Sequence, residues 1–342
     1  MVDLTIRGAG ILGLMTAWRA IARGATVQVI DPLGPGGGAS GGVVGALAPH
    51  TPDGWNPKKQ MQLESLLQHR TLWPEIEQTS GLSSGYAPTG RLQPLLDDRA
   101  VELAKGRAEA AIETWGAAAT WVVTDTPGAF APPSTTGLWV KDTLSAHIHP
   151  RRACQSLAKA IERRGGQITK EGADAGIIIL ATGAAGLSDL NAAFGKTVGV
   201  AVKGQAALLD FDASGQPQVF ADGLHIIPHL DGTTAVGSTT EREFDAPDQT
   251  DQLLDEVLQR AAVLLPALAD ASVLERWAGL RPRAKSRAPV IGAWPDRPGT
   301  FVANGGFKIG FGMAPVIADL VLDLALDGVD RIPETFRLDA NL

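Results

Sequence analysis

Residues 8–13, Gly-Ala-Gly-Ile-Leu-Gly, have the glycine spacing that holds a dinucleotide, and they stand where that spacing is useful. A short strand-like run ends before them at Arg7, and an apolar helix-like run follows through Ile21. Gly8 permits the tight turn, Gly10 lets backbone approach a pyrophosphate, and Gly13 lets the helix pack closely on the strand. The amides that open the helix, Ile11 and Leu12 among them, turn positive partial charge toward a phosphate. Asp31 closes the next strand-like run, where a carboxylate would accept hydrogen bonds from a ribose. A second glycine-rich stretch, 34–45, is longer than a compact domain uses for a connection, and such loops are usually functional. Within it Gly38-Ala39-Ser40-Gly41-Gly42 also spells the nucleophile elbow of hydrolases. That motif needs a buried strand before the serine, and Pro35-Gly36-Gly37 stands there instead. The stretch therefore reads as a second phosphate-binding loop, in which backbone amides and the Ser40 hydroxyl meet a cofactor.

Cations gather toward the C-terminus, where Arg281, Arg283, Lys285 and Arg287 follow one another without an acid between them. In an extended turn this alternation points all four broadly to one side. Two readings stand: a solvated basic turn on an otherwise acidic protein, or a patch that binds anionic groups of a substrate. Histidines occur in pairs at 147/149 and 225/229, but no acid cluster accompanies them at a recognised ligand spacing, so no metal site is expected. Cys154, the only cysteine, shares a helical stripe with Leu157, Ala158 and Ile161 and reads as core, not as a point of covalent attachment.

The elements that must position these residues follow from periodicity. Strand, helix and strand over 3–31 make one βαβ unit. Helices are expected over 60–80, stopping or kinking before Pro74, near 99–115, and around 154–161. Ile177 to Leu180 reads as a strand buried on both faces of a parallel sheet. Between 196 and 240 the pattern changes to short strands (205–209, 224–227, 233–237), as in an antiparallel sheet. A helix at 251–265, a basic turn at 281–287, a strand at 300–303 and a helix over 314–326 complete the chain. The expected fold is mixed α/β: a Rossmann-like unit from 1–80, 145–200 and 290–342, with an antiparallel unit from 81–144 and 201–289 inserted in it. With 44% hydrophobic and 20% charged residues, the 342-residue chain is neither disordered nor fibrous. A net charge of -7 argues against broad nucleic-acid binding, and no apolar run is long enough for a membrane span. One cysteine suits a reducing compartment, and a strand starting at Leu4 leaves no room for a secretory signal, so a cytoplasmic location is expected.

Further segments recur in a telling order: Gly38 to Pro49, His149-Pro150-Arg151 before a helix, Ile179-Leu180-Ala181-Thr182-Gly183, Gly204-Gln205, Trp277-Ala278-Gly279-Leu280-Arg281-Pro282, Pro289-Val290-Ile291-Gly292, then Gly305, Gly310 and Ala314-Pro315. With the fingerprint, they resemble the flavin-dependent D-amino acid oxidase superfamily, in its glycine oxidase and sarcosine oxidase branch, over nearly the whole chain. The resemblance implies a glutathione reductase 2-like fold, noncovalent FAD on the Rossmann-like half, and an antiparallel sheet roofing the substrate. It implies oxidation of the C–N bond of a small amino acid or N-alkyl amino acid, hydride passing to flavin N5, with oxygen or a quinone as final acceptor. By the same resemblance Gly8, Gly10, Gly13 and Asp31 serve the ADP half, and Ser40, Gly41, Gly42, Val43 and Val44 line the pyrophosphate and flavin edge. Thr182 and Gly183 stand beside the ribityl phosphate. Gly310, Phe311, Gly312 and Met313 lie against the flavin pyrimidine, where a helix start favours the anionic reduced flavin. Arg281 is implied to bind the substrate carboxylate, which its bidentate fork suits.

The chain departs from the family pattern at three places. His225 stands where a tyrosine is common, either facing the substrate amine or lying at a strand edge without a catalytic role. Lys308 replaces an arginine, within reach of substrate or flavin or simply solvated. The stretch between Gly166 and Gly176 is much shorter than the family's, which holds strands touching the adenine. Two alternatives stay open: a tRNA wobble-uridine-modifying amine oxidase, which Gly45-Ala46-Leu47-Ala48-Pro49 also resembles, and a non-catalytic flavin-binding subunit. A homo-oligomer is compatible with either.

Overall fold

Apolar alternation sorts the strands into two large sheets, which the computed structural model describes for residues 2–342. The first has six strands in the order Val290–Ala293, Thr300–Asn304, Ile177–Leu180, Leu4–Arg7, Val27–Ile30 and Gln167–Thr169, parallel throughout except for the first pair. On Leu4–Arg7, Leu4 and Ile6 are fully buried in the cluster that also takes residues from the helices Ile11–Ala22, Pro150–Arg163 and Gly310–Asp327. Thr5 and Arg7 alternate with them onto the opposite face.

That opposite face explains the charge placed just before the fingerprint. The crossover from Thr169 to Ile177 uses only residues 170–176 and runs across it. The Thr5 hydroxyl donates to Ala175 O at 2.7 Å, Gln28 Nε2 to Ala173 O at 2.8 Å, and Arg7 to Gly172 O at 2.9 Å and the Asp174 carboxylate at 2.7 Å. A polar sheet face is thus satisfied by the backbone of a short crossover. Beside it, Leu187 and Leu190 of the helix Gly183–Phe194 pack with Leu180 and Val302.

The second sheet has eight strands in the order Val273–Ala284, Gly199–Leu209, Thr234–Gly237, Leu224–Pro228, Gln218–Ala221, Arg91–Leu95, Leu138–Asp142 and Trp121–Thr124. All neighbours are antiparallel except Gln218–Ala221 with Arg91–Leu95. One face buries Ala207, Leu209, Val219, Ile226 and Val236 with Leu254 and Val257 of the helix Gln252–Leu264. The other turns Ala206, Ile227, Ala235 and Trp277 toward Val43 and Val44 of the glycine-rich stretch. A short antiparallel pair, Ala46–Leu47 with Ala146–His147, lies where that stretch meets the roof.

Two expectations change. The helix Pro57–Ser80 runs through Pro74 without stopping; Leu72, Trp73 and Ile76 around it are buried, and this packing outweighs one lost backbone hydrogen bond. The expected basic turn is half strand, since Val273–Ala284 pairs along Gly199–Leu209 up to Ala284 opposite Gly199. Among the described residues no helix is long and apolar enough to cross a membrane.

Candidate functional site

Three adjacent strands of the six-stranded sheet, Thr300–Asn304, Ile177–Leu180 and Leu4–Arg7, run parallel and end at one edge. Each leads into a helix, starting at Gly310, Gly183 and Ile11, and none of the three N-cap residues caps its helix with a side chain; Ser40 of the second loop takes the Ile11 amide. Uncapped amides at a shared edge are a ready anion site. Two of the starts touch, for a Cβ on Gly310 would lie 3.8 Å from Ile11 Cγ2. Gly8 has φ +109°, and a Cβ there would lie 2.3 Å from Ala181 O; one on Gly13 would lie 1.9 Å from Gly8 O. These two glycines are demanded by the backbone itself. Gly10 differs, because a Cβ there would meet only Ser40 Oγ, at 3.2 Å, so its bareness keeps a space between the helix start and the second loop. The residues present therefore fit a dinucleotide diphosphate.

The second loop docks on the first. Gly36 N donates to Ala9 O at 2.8 Å, and Ser40 Oγ accepts from Ile11 N at 3.0 Å. Asp31 braces the turn, one carboxylate oxygen accepting from Ala9 N at 2.7 Å and the other from Leu33 N at 2.9 Å, and any ribose hydroxyl would share those oxygens. Arg151, from the His-Pro-Arg segment, donates to Gly41 O at 3.0 Å and 3.2 Å and forks onto Glu275 at 2.7 Å and 3.0 Å. It thereby ties the glycine stretch to the strand of Trp277, whose ring lies 3.3 Å from where a Cβ on Gly42 would stand. Val43 is fully buried, and Val44 Cγ2 would lie 2.9 Å from a Cβ on Gly237. Cys154 is buried with its thiol pushed up to about 12 by that burial, so it stays protonated and is no nucleophile.

Cross-strand register lays the roof's underside out as a row: Trp277, Ala206, Gly237, His225 and Phe220 stand opposite one another in turn. The two small residues at its centre make room for Val44, which packs there with Ala206 and Trp277. Two residues along from Gly279 and four from Trp277, Arg281 is on the same face, with Gly204 making room: a Cβ there would fall 2.2 Å from the guanidinium carbon. Arg281 Nη1 donates to Thr239 O at 3.1 Å, and no carboxylate among the described residues lies within ion-pair distance. Burial lowers its pKa to about 10, with Glu241 acting in the opposite direction. His225 packs against Phe220 with ring centroids 4.6 Å apart and the planes tilted by 39°, and its Nδ1 is buried without a partner. Burial, then the charges of Arg91, Lys308 and Arg281, pushes this imidazole down to about 3, so it is neutral at physiological pH. Lys308 is at φ +61°, and partial desolvation, then the charge of Arg281, lowers its pKa.

Arg281, His225 and Lys308 therefore act on one another, as do the residues of the two glycine loops and the helix start at Gly310. Arg283, still within the strand, shares the ring of Phe307 with Lys308, at 5.9 Å and 5.6 Å from its centroid. Lys285 and Arg287 are exposed in the turn beyond the strand, so the four-cation alternation breaks where the strand ends. Arg91 was not legible as a site residue. It is buried, on the same face by its pairing with Gln218, and its Nε donates to the fully buried Asp142 at 2.9 Å. The histidines group differently from their sequence pairs: His229 packs against His149 at 4.6 Å and His147 at 6.3 Å, and its Nε2 donates to Val43 O at 2.9 Å. No group of three or more histidine, cysteine or acidic residues among the described residues is placed to hold a metal ion.

A largely parallel sheet gathering three helix starts, beneath a largely antiparallel roof carrying a half-buried arginine, fits a flavin-binding oxidoreductase. The chain belongs to the FAD-dependent oxidoreductase (DAO) family, whose match spans residues 3–324. It is 29% identical to glycine oxidase from Pseudomonas putida over 96% of both chains. It is 28% identical over 95% of its length to the bifunctional protein ThiO/ThiG of Synechocystis, of which it spans about half, 52%. The structure of glycine oxidase from Geobacillus kaustophilus superimposes with a TM-score of 0.84 over 98% of each chain at 21% identity, which shows the shared fold. The protein is a glycine oxidase-like, FAD-dependent oxidoreductase.

Proposed function

We propose that this enzyme oxidises the C–N bond of a small amino acid or N-alkyl amino acid, with the six-stranded unit holding noncovalent FAD and the eight-stranded sheet covering the substrate. The observation that carries the reading is Arg281: a desolvated guanidinium with one carbonyl partner and no carboxylate, a state that a bound substrate carboxylate relieves. Gly8, Gly10, Gly13, Asp31 and Ser40 to Val44 would hold the ADP half and flavin edge, Thr182 and Gly183 the ribityl phosphate, and Gly310 to Met313 the pyrimidine. FAD supplies the two-electron acceptor for the hydride leaving the substrate carbon. Arg281 fixes the carboxylate, and therefore the direction of the carbon beside it. His225, neutral, accepts a hydrogen bond from the substrate amine and favours its unprotonated form. Trp277 and Val44 pack together under the roof and keep water from that face. The test is anaerobic titration of the yellow holoenzyme with a panel of amino acids while flavin bleaching is followed. Bleaching that no amine produces makes the protein a flavin carrier instead.

A further inference from the structure

Gly204 makes room for the Arg281 guanidinium, and Gln205 beside it is fully buried, with its side chain bonded to Asp251 at the start of the helix Gln252–Leu264. The ladder that these two residues share with the chain after Gly237 is irregular. Gly199–Leu209 pairs with Thr234–Gly237 up to Ala206 opposite Gly237, and pairs again where Lys203 and Glu241 exchange both backbone hydrogen bonds, each at 3.0 Å. Between those points Ser238, Thr239 and Thr240 stand against only Gly204 and Gln205, so the chain bulges. In a regular ladder Gln205 and Thr239 would exchange both bonds as well. They exchange one. Thr239 N donates to Gln205 O at 3.1 Å, while Gln205 N donates at 2.8 Å to the Thr239 hydroxyl in place of the carbonyl. That hydroxyl gives its own proton to Glu241, which also accepts from Gln205 Nε2 at 3.1 Å and pairs with Lys203 at 3.4 Å. Its lone pair is thereby held toward the Gln205 amide. The Thr239 carbonyl is released from the ladder, and it accepts from Arg281 Nη1 at 3.1 Å.

An arginine side chain gives up rotamer freedom when it binds a ligand, and a protein that has already fixed the guanidinium removes that cost from the ligand. One donor given to Thr239 leaves Arg281 the rest of its N–H groups, enough for both oxygens of a carboxylate. Resting on the reading of Arg281 as the carboxylate anchor, we infer that Thr239 is a positioning residue for the substrate: its hydroxyl takes the ladder amide of Gln205 so that its carbonyl can aim Arg281. The residue must offer a lone pair and a proton on one short arm, which a hydroxyl does. Valine has the shape of threonine but no hydroxyl. With valine at 239 the Gln205 amide would turn back to the carbonyl and draw it from Arg281, while Glu241 would keep Gln205 and Lys203 as partners.

The experiment titrates the holoenzyme with acetate, a carboxylate that cannot be oxidised at a C–N bond, and reads the perturbation of the flavin spectrum at fixed ionic strength. Thr239→Val is expected to weaken acetate binding by about threefold to tenfold with flavin content unchanged, and Thr239→Ser to bring it back to within about twofold of wild type. Thr239→Ala, which removes the hydroxyl without adding bulk, is expected to behave as the valine variant does and stands in for it if valine prevents folding. In an Arg281→Leu background Thr239→Val is expected to cost nothing more, since no anchor is left to aim. A merely structural residue would weaken binding in both backgrounds. Wild-type acetate binding in both hydroxyl-free variants, equal weakening by serine and valine, or a further loss of the same size in the Arg281→Leu background overturns the inference and leaves Arg281 as the anchor. Acetate binding that Arg281→Leu does not weaken overturns the anchor reading itself, and the role of Thr239 falls with it.

Discussion

The edge of the six-stranded sheet offers a ligand mostly backbone: three helix starts whose own N-cap residues supply no side-chain cap, and two glycines whose Cβ atoms would overlap carbonyl oxygens. The underside of the eight-stranded sheet offers side chains, Arg281, His225 and Arg91, drawn from three separate strands, with Lys308 from the loop before a helix. The contrast teaches where change is tolerated. A backbone-built site has one geometry, and a single methyl group can destroy it. A side-chain-built site keeps its frame while residues are exchanged, so its charge can be retuned for another substrate.

The sharpest break falls on the edge. Gly13→Val would drive a side chain into Gly8 O, where even a Cβ sits at 1.9 Å, and neither helix nor strand can yield. A loss of about 4 kcal/mol or more is expected, so the variant should lack a cooperative melt at the wild-type temperature. A wild-type melting curve would show that the helix packs less closely on the strand.

On the roof the matching break is Arg281→Leu. Apolar replacement leaves no charge to strand, because Arg281 has no carboxylate partner. The fold and flavin content should hold while carboxylate binding falls by about 2 to 5 kcal/mol, tenfold or far more in apparent dissociation constant. An unchanged titration curve would give Arg281 a purely structural place. Between the two lies Gly10→Val, whose Cβ meets only a movable hydroxyl. It should fold normally yet bind FAD about a hundredfold more weakly, roughly 2.7 kcal/mol, measured by flavin release on dilution.

The same contrast decides what could be read from the chain itself. Gly8 and Gly13 were legible because the conformations they serve exclude other residues, and the spacing alone carries that information. Arg281 was legible through the short segment around it. Arg91 and Asp142 were not, because their place depends on which strand pairs with which and in what register, and nothing local encodes that. Nor could the basic alternation at 281–287 be judged without knowing that Gly199–Leu209 pairs with its first half. Arg7 shows the reverse case: the charge was visibly out of place, and the short 170–176 crossover was visibly short, but only the fold brings one to the other. Pro74 misled because tertiary burial outweighed a local rule.

The smallest effect concerns the seam between edge and roof, where His147 pairs with Ala46 and packs against His229. His147 is fully buried and neither ring nitrogen has a partner, so desolvation, reinforced by His229, holds it down to about 4. His69 and His149 are also held at about 4, chiefly by burial. The sign follows from linkage. Below the ordinary histidine value of 6.5 the unfolded chain takes up protons that the folded chain refuses, so stability falls as the pH drops from 6.5 toward 4. Each such histidine contributes a slope of at most about 1.4 kcal/mol per pH unit. His147→Leu removes one proton from that slope and leaves no unsatisfied ring nitrogen behind. The variant should match wild type above pH 7 or exceed it slightly, and should gain steadily on it between pH 6.5 and 4.5, as read from urea midpoints at fixed temperature. The window stops at 4.5 because depressed carboxylates such as Glu275, held down mainly by its hydrogen bond to Arg151, begin to matter below it. Parallel stability curves for the two proteins across that range would mean that His147 is protonated in the fold, and that the seam between edge and roof carries a charge.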